Sequence, residues 1–306
     1  MKLIAPVLLA LTLLFNSCSE NNASLKIQMK QGDVYELEMK TLNEMDQTSM
    51  GTRMKMNTEM IQYGNIEVKE VTSDDKFKFQ LMYNRIVQQV EMAAPTETSY
   101  TIDTDQPDSV LSEEAFESYK SMSLMLKKPF DVTMNTRGEV LNCSSAEYEA
   151  ELKKLADENP IMKMAIDQLS IETQKAGIQS LFVILPEGKT TAGSEWTYKS
   201  DAFSSSYPVV MESNYKVIKS DENITTLTSK GTVSINKNAK GMMAMMVKMM
   251  DLSGEVTSEV KLDSKSGLPI QNKMVTQMKG SMKMFGANIP LSVKTTQDIS
   301  IKKKVN

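Results

Sequence analysis

The sequence predicts an α+β, mainly β fold, with long antiparallel curved sheets in two related lobes and a central helical segment. Three observations carry this expectation. Apolar and polar residues alternate over long stretches, short turn motifs recur in the same order in both halves, and the period becomes helical between them. One apolar and one wet face per strand marks antiparallel sheets rather than buried parallel ones. Alternation sustained over about ten residues or more exceeds the usual strand of about five or six, so the sheets must be large and strongly curved.

The first lobe is expected over 25–143. Leu25, Ile27 and Met29, then Tyr35, Leu37, Met39 and Thr41, share one face, with Gly32-Asp33 as a turn signal between them. Met50, Met54, Met56, Met60, Ile66 and Val68 continue the pattern until Ser73-Asp74-Asp75 breaks it. Phe77, Phe79, Leu81 and Tyr83 follow, and the phase then slips at Asn84-Arg85, the mark of a β-bulge.

The helical connector is expected to fill 144–186, and a further helix precedes it. Ser112 can cap a helix whose Phe116, Tyr119, Met122 and Met125 or Leu126 share a face, stopping before Pro129. Ser145 can cap another carrying Tyr148, Leu152 and Leu155. A third runs from Pro160 through Ala165, Ile166 and Leu169, with Ile178 to Leu185 as an extension before Pro186-Glu187-Gly188. These helices are expected to pack across or between the concave sheet faces.

The second lobe is expected over 187–306. Ile270, Met274, Thr276, Met278, Met282 and Met284 alternate with polar residues, Phe285-Gly286-Ala287-Asn288 turns the chain, and Ile289, Leu291, Val293, Ile299 and Ile301 return. Gly32-Asp33-Val34-Tyr35 corresponds to Gly193-Ser194-Glu195-Trp196, and Ser73-Asp74-Asp75 to Ser220-Asp221-Glu222. Phe130 to Gly138 likewise corresponds to Glu259 to Gly267, each a strand closed by a polar, glycine-ended turn. Three ordered matches point to an internal duplication.

Residues 1–17 read as a lipoprotein signal peptide. Lys2 precedes an apolar run from Leu3 to Phe15, too short to span about 30 Å of hydrocarbon comfortably. Leu13-Leu14-Phe15-Asn16-Ser17-Cys18 resembles a bacterial lipobox, which makes Cys18 the lipid-attachment residue and the mature N-terminus. Residues 18–24 are then a short lipidated tether, and Ser19, unlike the Asp that retains many proteobacterial lipoproteins in the inner membrane, favours the outer membrane.

Composition excludes several function classes. The 306-residue chain has no histidine, which removes Ser-His-Asp and Cys-His nucleophile systems and the usual zinc sites. A net charge of −4 lacks the basic excess of a nucleic-acid footprint. After cleavage at Cys18, Cys143 is the remaining thiol, with a packing role expected rather than a nucleophilic one. Gly188-Lys189-Thr190 lacks the first glycine of a phosphate-binding loop, because Val183 stands there. Ser73 with Lys76, and Ser234 with Lys237, share the Ser-x-x-Lys spacing of serine acylases but fall in strand or turn texture. Asp74-Asp75 and Glu113-Glu114 are paired carboxylates placed at a turn and in a helical first turn, where acids suit the macrodipole.

Methionine is the anomaly, with 26 in the chain and six of them between Met242 and Met250. Thioethers bind Cu(I), so a copper-binding role for Met242, Met243, Met245 and Met246 is chemically permitted. Core packing, a Met-lined apolar cavity for a lipid or other amphiphile, and an adaptable contact surface are the other readings.

The lipobox at Cys18, Gly32-Asp33-Val34-Tyr35, Lys128-Pro129-Phe130-Asp131-Val132-Thr133-Met134 with Gly138, Leu185-Pro186 before Gly193-Ser194-Glu195-Trp196, and Lys261-Leu262-Asp263 with Ser266-Gly267-Leu268-Pro269 together resemble the DUF6263 family. Its members are uncharacterised bacterial lipoproteins, common in Bacteroidota and related phyla. The resemblance implies an envelope lipoprotein and supplies no catalytic residues. The expected function is therefore a non-catalytic binding or structural role at the envelope, with no cofactor. An amphiphile is the expected ligand, and a Cu(I)-binding protein or an unrecognised hydrolase are the alternatives.

Overall fold

The structure is a computed structural model that describes residues 24–49, 51–93, 97–106, 112–158, 169–204, 207–238, 243–284 and 286–304. Cys18, Met50, Met242, Phe285 and residues 160–168 of the third expected helix lie outside the described residues.

Antiparallel pairing joins twelve described strands into one sheet. The first half contributes β1 (Val34–Ser49), β2 (Thr52–Val71), β3 (Phe77–Ala93), β4 (Thr98–Asp103), β5 (Phe130–Met134) and β6 (Val140–Ser144). The second contributes β7 (Glu195–Ser204), β8 (Tyr207–Ser220), β9 (Ile224–Ile235), β10 (Met250–Asp263), β11 (Pro269–Met284) and β12 (Ala287–Lys303). The order across the sheet is β6-β5-β3-β2-β1-β12-β11-β10-β9-β8-β7, and β4 adds to β3 off this path. The two halves expected from the sequence are thus parts of one sheet, because β12 pairs with β11 on one side and β1 on the other.

The expected repetition is visible in this order. Strands β1-β2-β3-β5-β6 form one meander and β7-β8-β9-β10-β11 a second, running the same way across the sheet. Their opening turns match bond for bond. Gly32 N donates to Val68 O at 2.9 Å and Val68 N to Asp33 O at 2.9 Å, while Gly193 N donates to Val217 O at 2.8 Å and Val217 N to Ser194 O at 2.9 Å. Both glycines sit at positive φ, +85° and +89°, where a side chain is strained. Register slips fall at corresponding places too: Val68/Glu70 and Val217/Lys219, then Thr133/Met134 and Lys261/Leu262. The bulge expected at Asn84-Arg85 is present, since Tyr63 pairs with Arg85 and Gly64 with Tyr83, leaving Asn84 unmatched.

Close strand approach has a local cause. A Cβ on Gly231, Gly254 or Gly280 would lie 2.0, 1.8 and 1.8 Å from the carbonyl oxygens of Glu212, Gln277 and Asp251, so only glycine admits these strand approaches. The inward face carries a main core around Tyr35, Leu37, Phe79, Leu81, Phe130, Val260 and Ile299. A second core lies farther along the strands around Val209, Val233, Leu252, Met278 and Leu291. A belt of buried polar side chains lies on the same face, including Gln62, Thr295, Thr276, Ser258, Ser229 and Ser213. Within it the Ser229 and Ser258 hydroxyls hydrogen-bond at 2.7 Å.

Helix α1 (Glu113–Ser123) is capped by Ser112, whose hydroxyl accepts from Ala115 N. Its inward residues are Ala115 and Met122; Phe116, expected on that face, is exposed and its ring meets the Lys120 ammonium instead. Helix α2 (Ala146–Glu158) drives Tyr148 and Leu152 into the main core. The Ser145 hydroxyl before it is buried without a hydrogen bond among the described residues, so that residue does not cap through its side chain as expected. Helix α3 (Ile171–Gln179), capped by Ser170, takes in only the first two residues of the run Ile178 to Leu185 that was expected to extend it. Residues 181–185 leave as a buried strap that begins in a turn, with Leu181 N on Ile178 O and Phe182 N on Gln179 O, and is pinned by Leu185 N on Arg137 O at 2.8 Å. Helix α4 (Met243–Met249) precedes β10 and closes on the second core through Val247.

Candidate functional site

The described residues leave a hollow at the sheet end where β1 begins and β12 finishes. Leu25, Ile27 and Met29 were expected to form a strand; they are extended but lie outside the sheet, as a second strap. Its inward residues are 8%, 1% and 5% exposed, so the alternation that reads as a strand is here the inside and outside of the strap. The strap spans two equivalent turns, one from each meander. Ile27 N donates to Thr136 O and Gln28 N to Ser266 O, each at 2.7 Å. A Cβ on Gly267 would stand 2.4 Å from Lys26 O, so the second turn must be glycine for the strap to seat. Gly138 holds the equivalent place under the other strap, 2.7 Å from Val183 O by the same measure.

Beside this strap lies an open cavity of about 910 Å³. Its apolar wall includes Tyr35, Phe77, Ile270 and Ile301, drawn from β1, β3, β11 and β12. Lys26, Lys30, Lys265, Lys302 and Lys303 border it, against Asp33, Asp75 and Asp263. Asp33 anchors one side: its carboxylate accepts from Lys30 N at 3.1 Å and the Tyr35 hydroxyl at 3.0 Å, and pairs with Lys303 Nζ at 2.6 Å. Burial pushes the Asp33 carboxyl up, but those three donors and the Lys303 charge outweigh it and hold it below the ordinary carboxylate range. Burial, then the bond to Asp33, pushes the Tyr35 phenol up, so it stays a neutral donor. Asp263 is engaged by its own turn, accepting from Lys265 N at 3.1 Å and Ser266 N at 2.6 Å.

The candidates read from the sequence are dispersed. Cys143 is buried in the main core, where burial pushes its thiol up to about 12, which fits the packing role. Lys76 pairs with Asp74 at 2.6 Å within the β2–β3 turn, and that pair, together with the Thr72 hydroxyl donating to the same carboxylate, holds the Asp74 carboxyl down to about 2. Lys237 donates to the carbonyls of Val247, at 3.0 Å, and Met250, closing the end of α4 rather than activating Ser234. The methionine-rich stretch divides: Met250 is buried in the second core, while Met245 and Met249 are exposed on one face of α4. Among the described residues Met29 is the one methionine lining the strap cavity, so the methionine faces were not the signal for it. The signals that did mark it were Gly32-Asp33 and Ser266-Gly267, both read only as turns. Among the described residues, no group of three or more His, Cys, Asp and Glu could hold a metal ion, and no helix is long and apolar enough to cross a membrane.

The sequence pattern of DUF6263, a family of unknown function, matches residues 74–269, from the β2–β3 turn to the start of β11. The chain belongs to that family. No curated protein matches this DUF6263 chain. Among solved structures it is similar to lipovitellin, described for its lipid–protein interactions, with a TM-score of 0.52 and 9% identity over 91% of this chain. The chain spans about a quarter of lipovitellin, 26% of its length, and the likeness is one of fold. DynF from the dynemicin biosynthesis pathway of Micromonospora chersina matches at a TM-score of 0.24, with 7% identity over 94% of this chain and 87% of that one. An outer membrane channel from Pseudomonas putida F1 matches at 0.23, with 6% identity over 90% and 97%. Neither of these two bears on the site.

Proposed function

We propose that this DUF6263 protein is a lipid-anchored envelope protein, held at the outer membrane through Cys18, whose non-catalytic task is to hold an amphiphile in the strap cavity. One observation carries the reading: an open cavity of about 910 Å³ with an apolar wall and a charged border. Ligand sites typically measure about 300–1,000 Å³ and combine an apolar lining with a few polar groups, and an amphiphile needs both. The shared fold with lipovitellin, whose structure is described for lipid–protein interactions, supports the same ligand class. Acyl chains on Cys18 would each add about 0.8 kcal/mol per buried CH₂, so more than one chain gives stable anchoring.

Native mass spectrometry of the gently extracted protein tests the binding half of this proposal. Co-purifying lipid is the expected result. Stoichiometric Cu(I) that disappears when Met242, Met243, Met245 and Met246 become Leu would replace it with the copper reading. Persistence of Cys18→Ala in the membrane fraction would overturn the anchor.

A further inference from the structure

We infer that the cavity selects an anionic amphiphile, its acid group, carboxylate or phosphate, held by Lys26, Lys30 and Lys265 and its chain laid against Val71 and Ile270, the lining apolar residues that keep free surface. This rests on the amphiphile reading and goes beyond it by naming the head group.

The charges bordering the cavity run against those of the chain. Five lysines face three aspartates there, whereas the whole chain is net −4. Two of the three aspartates are already occupied: Asp33 by Lys303, Tyr35 and Lys30 N, and Asp263 by two amides of its own turn. Lys302 alternates to the outer face of β12, where it lies with Glu36 and Glu38, and Lys303 is held by Asp33. Lys26, Lys30 and Lys265 remain, none in an ion pair among the described residues, with Asp75 as the remaining acid of the border. Three ammonium groups against one free carboxylate leave a positive potential over an apolar wall, and a cleft with low-dielectric walls focuses such a field.

The backbone segments that carry the lysines are also tied together. Lys26 and Lys30 alternate outward from the strap while Leu25, Ile27 and Met29 anchor it below. Gln28 N on Ser266 O ties the strap to the turn that carries Lys265. All three lysines therefore project from one hydrogen-bonded backbone unit, which lowers the cost of gathering them around one anion. The tether adds a source. Six residues lie between Cys18 and Leu25, seven Cα–Cα steps, so the start of the strap lies at most about 25 Å along the chain from the anchored terminus, within reach of membrane lipid.

The test uses the mature lipidated protein in neutral dodecyl maltoside, titrated separately with oleate, its uncharged isostere oleamide, and inorganic phosphate, with binding read by native mass spectrometry. Oleate is expected to bind at least tenfold more tightly than oleamide. The Lys26→Glu/Lys265→Glu double variant, both sites being exposed, should weaken oleate at least tenfold and leave oleamide unchanged. Equal binding of oleate and oleamide, with no effect of charge reversal, overturns the head-group assignment and leaves the amphiphile reading standing. Phosphate that binds as tightly as oleate overturns the role given to the chain. Failure of oleate and oleamide alike overturns the amphiphile reading itself.

Discussion

The first meander, β1-β2-β3-β5-β6, and the second, β7-β8-β9-β10-β11, share opening-turn bonds, bulge positions and terminal turns, yet they end differently. In the second, β10 and β11 run 14 and 16 residues and continue the sheet wall. In the first, β5 and β6 stop at five residues each, and α2 and α3 fill the space beyond them with Tyr148, Leu152 and Ile178. The terminal turns are what both copies retain. Each receives a strap from elsewhere in the chain, residues 181–185 on the first and residues 25–28 on both. Keeping the turn while exchanging the wall for helices leaves one sheet end closed by straps, and the cavity forms there.

Glycine placement offers the largest break of the comparison. The second meander contains Gly231, Gly254 and Gly280, whose added Cβ would lie within 2.0 Å of a neighbouring strand's carbonyl; the first contains Gly64, where the distance is 2.8 Å. Backbone cannot yield as a flexible side chain can. Gly254→Ala or Gly280→Ala should cost on the order of 4 kcal/mol or more and lower soluble yield, and Gly64→Ala distinctly less. Urea unfolding checks this, and equal losses at Gly64 and Gly254 would show that the closer approach in the second meander carries no extra cost.

The turn glycines give a medium-sized effect and sharpen what the straps do. Gly138 and Gly267 combine positive φ with a strap carbonyl at 2.7 and 2.4 Å, whereas Gly32 and Gly193 have positive φ and open space. Substitution by Ala should therefore cost about 1 kcal/mol at Gly32 or Gly193 and about 2–3 kcal/mol at Gly138 or Gly267, with Gly267 the greater. Limited proteolysis should cut Gly267→Ala near residues 25–30 earlier than the parent, because its strap is the one displaced.

Much of this was legible in the sequence for a physical reason. Period-two alternation records which face of a strand meets the core, so most strand positions, the bulge at Asn84 and the matched turns could be read from residues in order. Three features could not. The pairing of β12 with β1 joins residues such as Tyr35 and Lys303, and no local pattern encodes a contact so distant in sequence. Residues 25–29 alternate as a strand would, but the sheet has no place for them, since β2 and β12 already flank β1. Ile178 to Leu185 reads as a helix continuation because burial on all sides erases periodicity. The cavity was hidden for the same reason as the β1–β12 pairing: its lysines come from a strap, a turn and a C-terminal strand.

The smallest effect separates the opening turns of the two meanders by charge alone. Lys30 N donates to the Asp33 carboxylate at 3.1 Å, and at the equivalent place Thr191 N donates to the Ser194 hydroxyl at 2.9 Å. Geometry is the same, but only the turn at Asp33 titrates. Because Asp33 is held below its unfolded value of about 3.9, its contribution is full above that pH and is lost as pH falls through the folded value. Asp33→Ser gives the first meander the side chain of the second and removes the partner of Lys303. The variant should be less stable than the parent by about 1 kcal/mol at pH 7, and the two melting curves should converge toward pH 3. A gap that stayed constant from pH 7 to pH 3 would mean that the hydrogen-bonded turn, and not the charge, is what Asp33 contributes.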